Sequence, residues 1–244
     1  KAIICFAGLK ETDAKLRGES AFEDSINAAK LCIEFGIPFA MSVINTKYVV
    51  NQIPALVQLG IDLGAKSFHL ASLIPQPIDV ENQLKVLGPL EPTPQQREDQ
   101  LKEIYDLNKK VQDKILIVPY EMFNNRLLKT KEPSRELKST CSMCDNLKKC
   151  EWLEILEDGK AYACAPLSLQ FGDIRTDSIQ QIMDRMPKSE KLKKLADRNN
   201  LKGKCGVCEF KTICGGCRAR AYIYSKDSLN QDPACVYRPK AFAN

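Results

Sequence analysis

The sequence predicts an α/β fold, part of a layer or barrel around a parallel sheet, followed by a smaller cysteine-rich domain. Three observations predict it. Apolar runs of strand length alternate with amphipathic helical stretches through the first half. An Asp-Gly dipeptide between two apolar segments signals a hairpin in the second half. Nine of the eleven cysteines fall between Cys141 and Cys235.

The composition bounds the class. The 244 residues are 44% hydrophobic and 27% charged, the balance of an average soluble globular chain, which excludes collagen-like and disordered classes. No apolar run approaches the roughly 18 residues of a bilayer span, and no basic segment followed by an apolar one opens the chain. A cytoplasmic protein without a membrane partner is expected. Thirty-six Lys and Arg against 31 Asp and Glu leave a net charge of +5 with both signs interspersed, so nothing marks a nucleic-acid stripe.

In chain order, Ala2 to Phe6 is a strand stopped by Gly8, and Phe22, Ile26, Ala29 and Ile33 form the apolar stripe of a helix that Gly36 ends. Ile37 to Ile44 is a second strand. Ile53 to Leu63 is a helix with Pro54 in its first turn, where a missing N–H costs little, and Gly64 closes it. Ser67 to Ile74 is a third strand, ended by Pro75 and Pro77. Strands joined through helices need crossovers, so the sheet is expected to be parallel with right-handed connections. The Pro-rich stretch 75–95 reads as a long surface loop. A helix from about Gln95 to Val111, carried by Leu101, Ile104, Tyr105 and Leu107, leads to a strand at Ile115 to Val118. A domain boundary is expected between Phe123 and Thr140.

Beyond it, Trp152 to Leu156 and Lys160 to Cys164 flank Asp158-Gly159 as a hairpin, Trp152 falling in the core. Helices follow at Ser178 to Met186 and Ser189 to Ala196. Lys1 is not an initiator Met and the sequence opens in a strand, so a fragment of a longer protein is expected, its open sheet edges needing a cover.

The cysteine spacing is Cys141-x2-Cys144-x5-Cys150-x13-Cys164, then Cys205-x2-Cys208-x5-Cys214-x2-Cys217, then Cys235. In a reduced compartment such density points to metal rather than disulfides. A C-x2-C turn presents two thiolates together, with glycine N–H groups free to bond the sulfurs. Two such pairs five residues apart fall short of the roughly 15 to 20 of a zinc ribbon, so further ligands come from elsewhere. The spacing allows two four-cysteine zinc sites, in a structural, nucleic-acid-binding or partner-binding module, or iron–sulfur clusters. The single histidine, His69, lies outside the cysteine region, which favours clusters. Its own reading is a strand residue with a satisfied ring.

From Cys144 to Cys235 the pattern resembles the SPASM domain of radical S-adenosylmethionine (SAM) enzymes, whose signature is C, G-x4-C, C-x2-C-x5-C-x3-C and a final C. Gly159-x4-Cys164 and the run Cys205 to Cys217 match it, the last interval being one residue shorter here. The resemblance implies a partial (β/α) barrel over 1–125 and a SPASM domain over 126–244 with two [4Fe–4S] clusters. It assigns Cys144, Cys150, Cys164 and Cys217 to the first, and Cys205, Cys208, Cys214 and Cys235 to the second, and leaves Cys141 over, either a spare thiol or a replacement for Cys144 in a shifted register. In the first half, Cys5-Phe-Ala7-Gly8 and Arg17-Gly18 stand where the family has S-x-D-G and R-G. Arg17 holds the position from which the family's Arg approaches SAM, where a guanidinium pairs with the carboxylate; with Cys5 and Ala7 in place of the family's polar residues, the other reading is a surface arginine near a turn.

The C-x3-C-x2-C motif of the SAM-cleaving cluster does not occur in the sequence. In the family it lies upstream of where this chain starts, so this polypeptide alone is expected not to cleave SAM. The implied function is that of a radical SAM maturase, which abstracts hydrogen from a peptide or tetrapyrrole with a 5′-deoxyadenosyl radical, the auxiliary clusters passing electrons or anchoring substrate. The sulfatase-modifying subclass has an Asp after the G-x4-C cysteine; Ala165 stands here, which disfavours that activity. The runs Cys214 to Tyr222 and Asp232 to Tyr237 look most like the haem-biosynthesis and cofactor-maturation branch. Arg218 and Arg220 are read either as carboxylate-binding forks or as a solvent-facing helix surface. Lys188 to Lys194 reads as a solvated helix face, or as a dock for a ferredoxin- or flavodoxin-type electron donor.

Overall fold

The apolar runs of the first half form β1 (Ala2–Phe6), β2 (Phe39–Asn45), β3 (Ser67–Ser72) and β4 (Leu116–Pro119), hydrogen-bonded in that order as a parallel sheet. The structure is a computed structural model and describes residues 2–75, 80–137 and 153–242. The helices of this half are α1 (Lys10–Arg17), α2 (Ala21–Glu34), α3 (Ile53–Asp62), α4 (Val80–Leu87) and α5 (Pro94–Val111). Alternate strand residues, Ile4 and Phe6, Phe39, Met41 and Val43, Phe68 and Leu70, then Ile117, turn to one face. There they pack with Ala29, Ile53, Leu56, Val57 and Ile104 from α2, α3 and α5. The opposite face carries exposed Ile3, Cys5 and Leu116.

Two of these helices depart from the expectation. α1 (KETDAKLR) has no apolar stripe, and its one buried side chain is Asp13. α4 occupies part of the stretch read as a loop, because the flanking prolines bracket eight residues that themselves favour a helix. The capping box of Thr93 and Gln96 opens α5.

The chain divides into two compact units, Lys1–Leu73 with Val86–Glu121, and Ile74–Lys85 with Met122–Asn244. In the second unit, α6 (Asn124–Lys131) precedes an antiparallel sheet of β5 (Glu154–Ile155), β6 (Lys160–Cys164) and β7 (Leu169–Asp173). The hairpin is present, but of the turn pair only Gly159 takes a positive φ, +78°. The turn is closed by Gly159 N–H to Leu156 O and Leu156 N–H to Lys160 O, so the loop is one residue longer than a two-residue turn. Then come α7 (Ile179–Arg185), α8 (Glu190–Ala196), the single turn α9 (Gly203–Gly206) and α10 (Arg218–Ser225). Leu167, Leu169, Met186, Leu192, Leu195, Leu201 and Ala219 form the core of this unit. No helix among the described residues is long and apolar enough to cross a membrane.

Candidate metal centre

Cys205, Cys208, Cys214 and Cys235 line one cavity. Cys205 lies on α9, Cys208 and Cys214 on the loop that follows, and Cys235 on the segment after α10. The loop turns back through Gly215 and Gly216, with φ of +68° and +65°. A Cβ on Gly216 would lie 2.8 Å from both Arg218 Nη2 and Asp232 Cβ, so only glycine fits.

Each of the four thiols receives a backbone N–H. Gly216 donates to Cys214 Sγ at 3.4 Å and Asp232 to Cys205 Sγ at 3.5 Å. The N–H groups of Phe210 and Tyr237 serve Cys208 and Cys235. Three of these bonds run from residue i+2 to the sulfur of residue i, which follows from the tight turn after each cysteine. Arg126, Lys204 and Lys211 line the same cavity, and no described carboxylate does.

Burial pushes the Cys214 thiol up to about 12 and the Cys208 thiol to about 11, and raises Cys235 as well. A bound cationic centre is what holds such buried sulfurs as thiolates. The donor set therefore fits a metal group with four thiolates and an anionic total charge. Among the described residues no three Cys, His, Asp or Glu side chains crowd closely enough to share one metal ion. A four-iron core takes each thiolate on a different iron, whereas a zinc ion takes four on one centre with bonds of ~2.3 Å.

Of the first predicted set, Cys164 ends β6 and Cys217 caps α10, its Sγ accepting from Arg220 N–H at 3.4 Å. Both pack against the core of this unit. Cys144 and Cys150 lie outside the described residues, as do Cys141 and Trp152.

Residues around the centre that sequence reasoning placed differently hold the loop together. Arg218 is 1% exposed and donates from Nη1 to the carbonyls of Ser228 and Asn230, with Nη2 3.9 Å from Cys205 Sγ. Arg220 is buried against Asp232, with Nε 3.0 Å from Oδ1. Neither faces solvent. Asp232, fully buried, also accepts from the N–H groups of Cys217 and Ala234 and so ties Cys217 to the Cys235 segment. Glu154 accepts from Ala165 N–H at 2.7 Å, so a carboxylate stands beside the position where the sequence lacks one, engaged in fixing the turn.

In the first unit, Arg17 Nη1 donates to the carbonyl of Cys5 at 2.6 Å and lies 3.4 Å from both Asp13 oxygens and 3.3 Å from Ser25 Oγ. Asp13 in turn accepts from Ala7 N–H at 2.7 Å. His69 has its ring nitrogens against Ser67 Oγ at 2.9 Å and the Tyr120 hydroxyl at 3.3 Å, the satisfied strand residue expected. The exposed lysines 188, 191, 193 and 194 lie outside the core that Leu192 and Leu195 enter from α8.

Comparison with known proteins adds to this geometry. The SPASM family, an iron–sulfur cluster-binding domain, matches residues 144–209. An AdoMet-dependent heme synthase of Methanosarcina barkeri is 30% identical over 236 residues, 94% of this chain and 65% of its own. A PqqA peptide cyclase of Bradyrhizobium diazoefficiens is 23% identical over 97% of this chain and 59% of its own. The solved structure of native anSMEcpe with bound AdoMet and Cp18Cys peptide superposes with a TM-score of 0.67 at 17% identity, covering 96% of this chain and 63% of that one. At that identity the likeness is one of fold. The chain spans less than two thirds of the length of each of these proteins.

Proposed function

We propose that the chain belongs to the radical SAM enzymes that carry a SPASM domain and works in an AdoMet-dependent enzyme of the haem-synthase branch, acting on a tetrapyrrole. The observation that carries the reading of the centre is the quartet itself: four cysteines at one cavity, each given an N–H, with cations and no described carboxylate among the residues that line it. In this reading Cys205, Cys208, Cys214 and Cys235 hold one [4Fe–4S] cluster. Cys164 and Cys217 hold a second together with Cys144 and Cys150. Such clusters supply single-electron transfer when bound. The chain's own part is to fix the sulfurs, to shield them from water by burying Cys205 and Cys214, and to place N–H donors and cations that favour the anionic state.

The tetrapyrrole reading is supported by the identity with a heme synthase across 94% of the chain. A peptide substrate is the second reading, favoured by the peptide cyclase relative. Arg17 is proposed to meet the AdoMet carboxylate. The Cys5 carbonyl and Asp13 hold one of its nitrogens, leaving Nε and Nη2 without partners among the described residues. A ferredoxin- or flavodoxin-type donor is proposed to supply electrons, with the exposed lysines of α8 and the turn before it as its acidic-partner surface, and the protein to work in the cytoplasm.

Anaerobic reconstitution tests the centre: about eight iron and eight sulfide per chain with a broad band near 400 nm are expected. Cys208→Ala with Cys214→Ala should remove about half of both. A colourless chain with about two zinc ions would refute the cluster reading. For the substrate, an iron porphyrin with free propionates should bind with a shift of its main absorption band that a cysteine-containing peptide does not reverse. The opposite result moves the protein to the peptide-modifying branch.

A further inference from the structure

α6 brings an arginine to the four-thiol cavity from far upstream of the cysteine motif. Arg126 lines the cavity and is 4% exposed, and its guanidinium carbon lies 4.9 Å from the centre of the Tyr237 ring. The helix is fastened to the cysteine loop beside it, for Asn125 donates to the carbonyl of Ile213, next to Cys214, at 3.0 Å. An arginine cannot shed its proton, so burying it here commits a permanent positive charge to the site. The other cations of the cavity are less enclosed. Lys204 Nζ donates to the backbone carbonyl of Cys235, and Lys211 Nζ to that of Gly206 and to the side-chain Oδ1 of Asn199.

We propose that Arg126 is the counter-charge that sets the reduction potential of the cluster held by Cys205, Cys208, Cys214 and Cys235. The inference rests on the reading of that quartet as a cluster site. A four-thiolate cluster is anionic and gains one further negative charge on reduction, so a fixed cation beside it stabilises the reduced state more than the oxidised one. Tyr237 forms the other wall of the arginine's slot. Its hydroxyl donates to Glu209 at 2.6 Å, and the face of its ring accepts the guanidinium. Arg126 is thus a positioning residue for charge, not a ligand.

The test is a spectroscopic redox titration of the reconstituted 244-residue chain, with iron and sulfide measured on the same samples. Arg126→Gln should lower the potential of one of the two couples by at least ~59 mV, a tenfold shift of a one-electron equilibrium, and leave the other where it was. Arg126→Lys, which keeps the charge, should stay within about threefold of the wild type, and so should Tyr237→Phe, which keeps Arg126. Full cluster loading of Arg126→Gln with both couples unmoved would overturn the proposal. If Arg126→Gln takes up no second cluster while Arg126→Lys does so at the wild-type potential, the charge is required and the proposal stands; failure of both variants to load would overturn it in favour of a purely steric role. A wild-type chain that binds no iron would instead refute the cluster reading beneath it.

Discussion

Replacing Gly216 by alanine should detach the cysteine loop from its thiol geometry. Gly216 sits at φ +65°, a conformation that costs an alanine ~1 to 2 kcal/mol. Its new Cβ would also stand 2.8 Å from Asp232 Cβ and from Arg218 Nη2. Both neighbours are buried and hydrogen-bonded, so neither swings away freely, and such overpacking adds roughly 1 to 3 kcal/mol. The total of about 2 to 5 kcal/mol corresponds, at roughly 2 to 4 °C per kcal/mol for a chain of this size, to a fall of about 4 to 20 °C in the melting temperature. Because Gly216 N–H also donates to Cys214 Sγ, the substitution should remove about four iron atoms per chain on reconstitution. Differential scanning calorimetry and iron analysis read the two effects. Gly88→Ala is the control, since a Cβ there meets nothing within 4 Å and the backbone does not need glycine; it should be neutral or slightly stabilising. A Gly216→Ala chain with full iron and a melting temperature like that of Gly88→Ala would refute the reasoning.

Asp232→Asn should cost roughly 3 to 5 kcal/mol, because it removes a buried anion paired with the buried Arg220; urea unfolding measures it, and a loss below about 1 kcal/mol would show that the pair is not needed. Thr93→Ala removes one half of the capping box of α5 and should cost about 1 kcal/mol, seen as a lower urea midpoint that Thr93→Ser restores. The hydrogen bonds of Arg175 hold the Asp173 carboxyl down at about 2, against a usual value of 3.8. The unfolded chain therefore takes up that proton first, so this contribution is present above pH 3.8 and fades as pH falls toward 2. Across that window wild type should lose more of its urea midpoint than Asp173→Asn, and parallel curves would rule the coupling out.

The sequence displayed the sheet because its strands alternate with helices that carry apolar stripes, and the structure returns every one of the four with its parallel pairing. What escaped lacks such a signal. α1 buries an aspartate where a periodicity search looks for leucine. β7 is short and ends in Gly172 and Asp173, so nothing in its pattern marks a third strand. At the centre, the C-x2-C pair and Cys214 announce themselves by spacing, whereas Cys235 came from the family resemblance alone. Arg126 belongs to no motif and reaches the cavity only through folding. For Arg218 and Arg220 the sequence leaves open a carboxylate-binding fork or a solvent-facing helix surface; their heads find carbonyls and a carboxylate that lie ten or more residues away in sequence, and polarity alone does not forecast that kind of burial.

Cys205 and Cys235 open and close a strap of chain that includes all of α10, and both ends arrive at the same cavity. Filled as proposed, the cavity becomes a clasp: fastening a loop of that length restricts the unfolded chain by roughly 3 to 4 kcal/mol on an entropic model. Iron supply would then govern more than redox capacity, since a tail made without its inorganic core has an unlatched strap open to proteolysis. The cell's stock of the protein would follow the metal it has to spare.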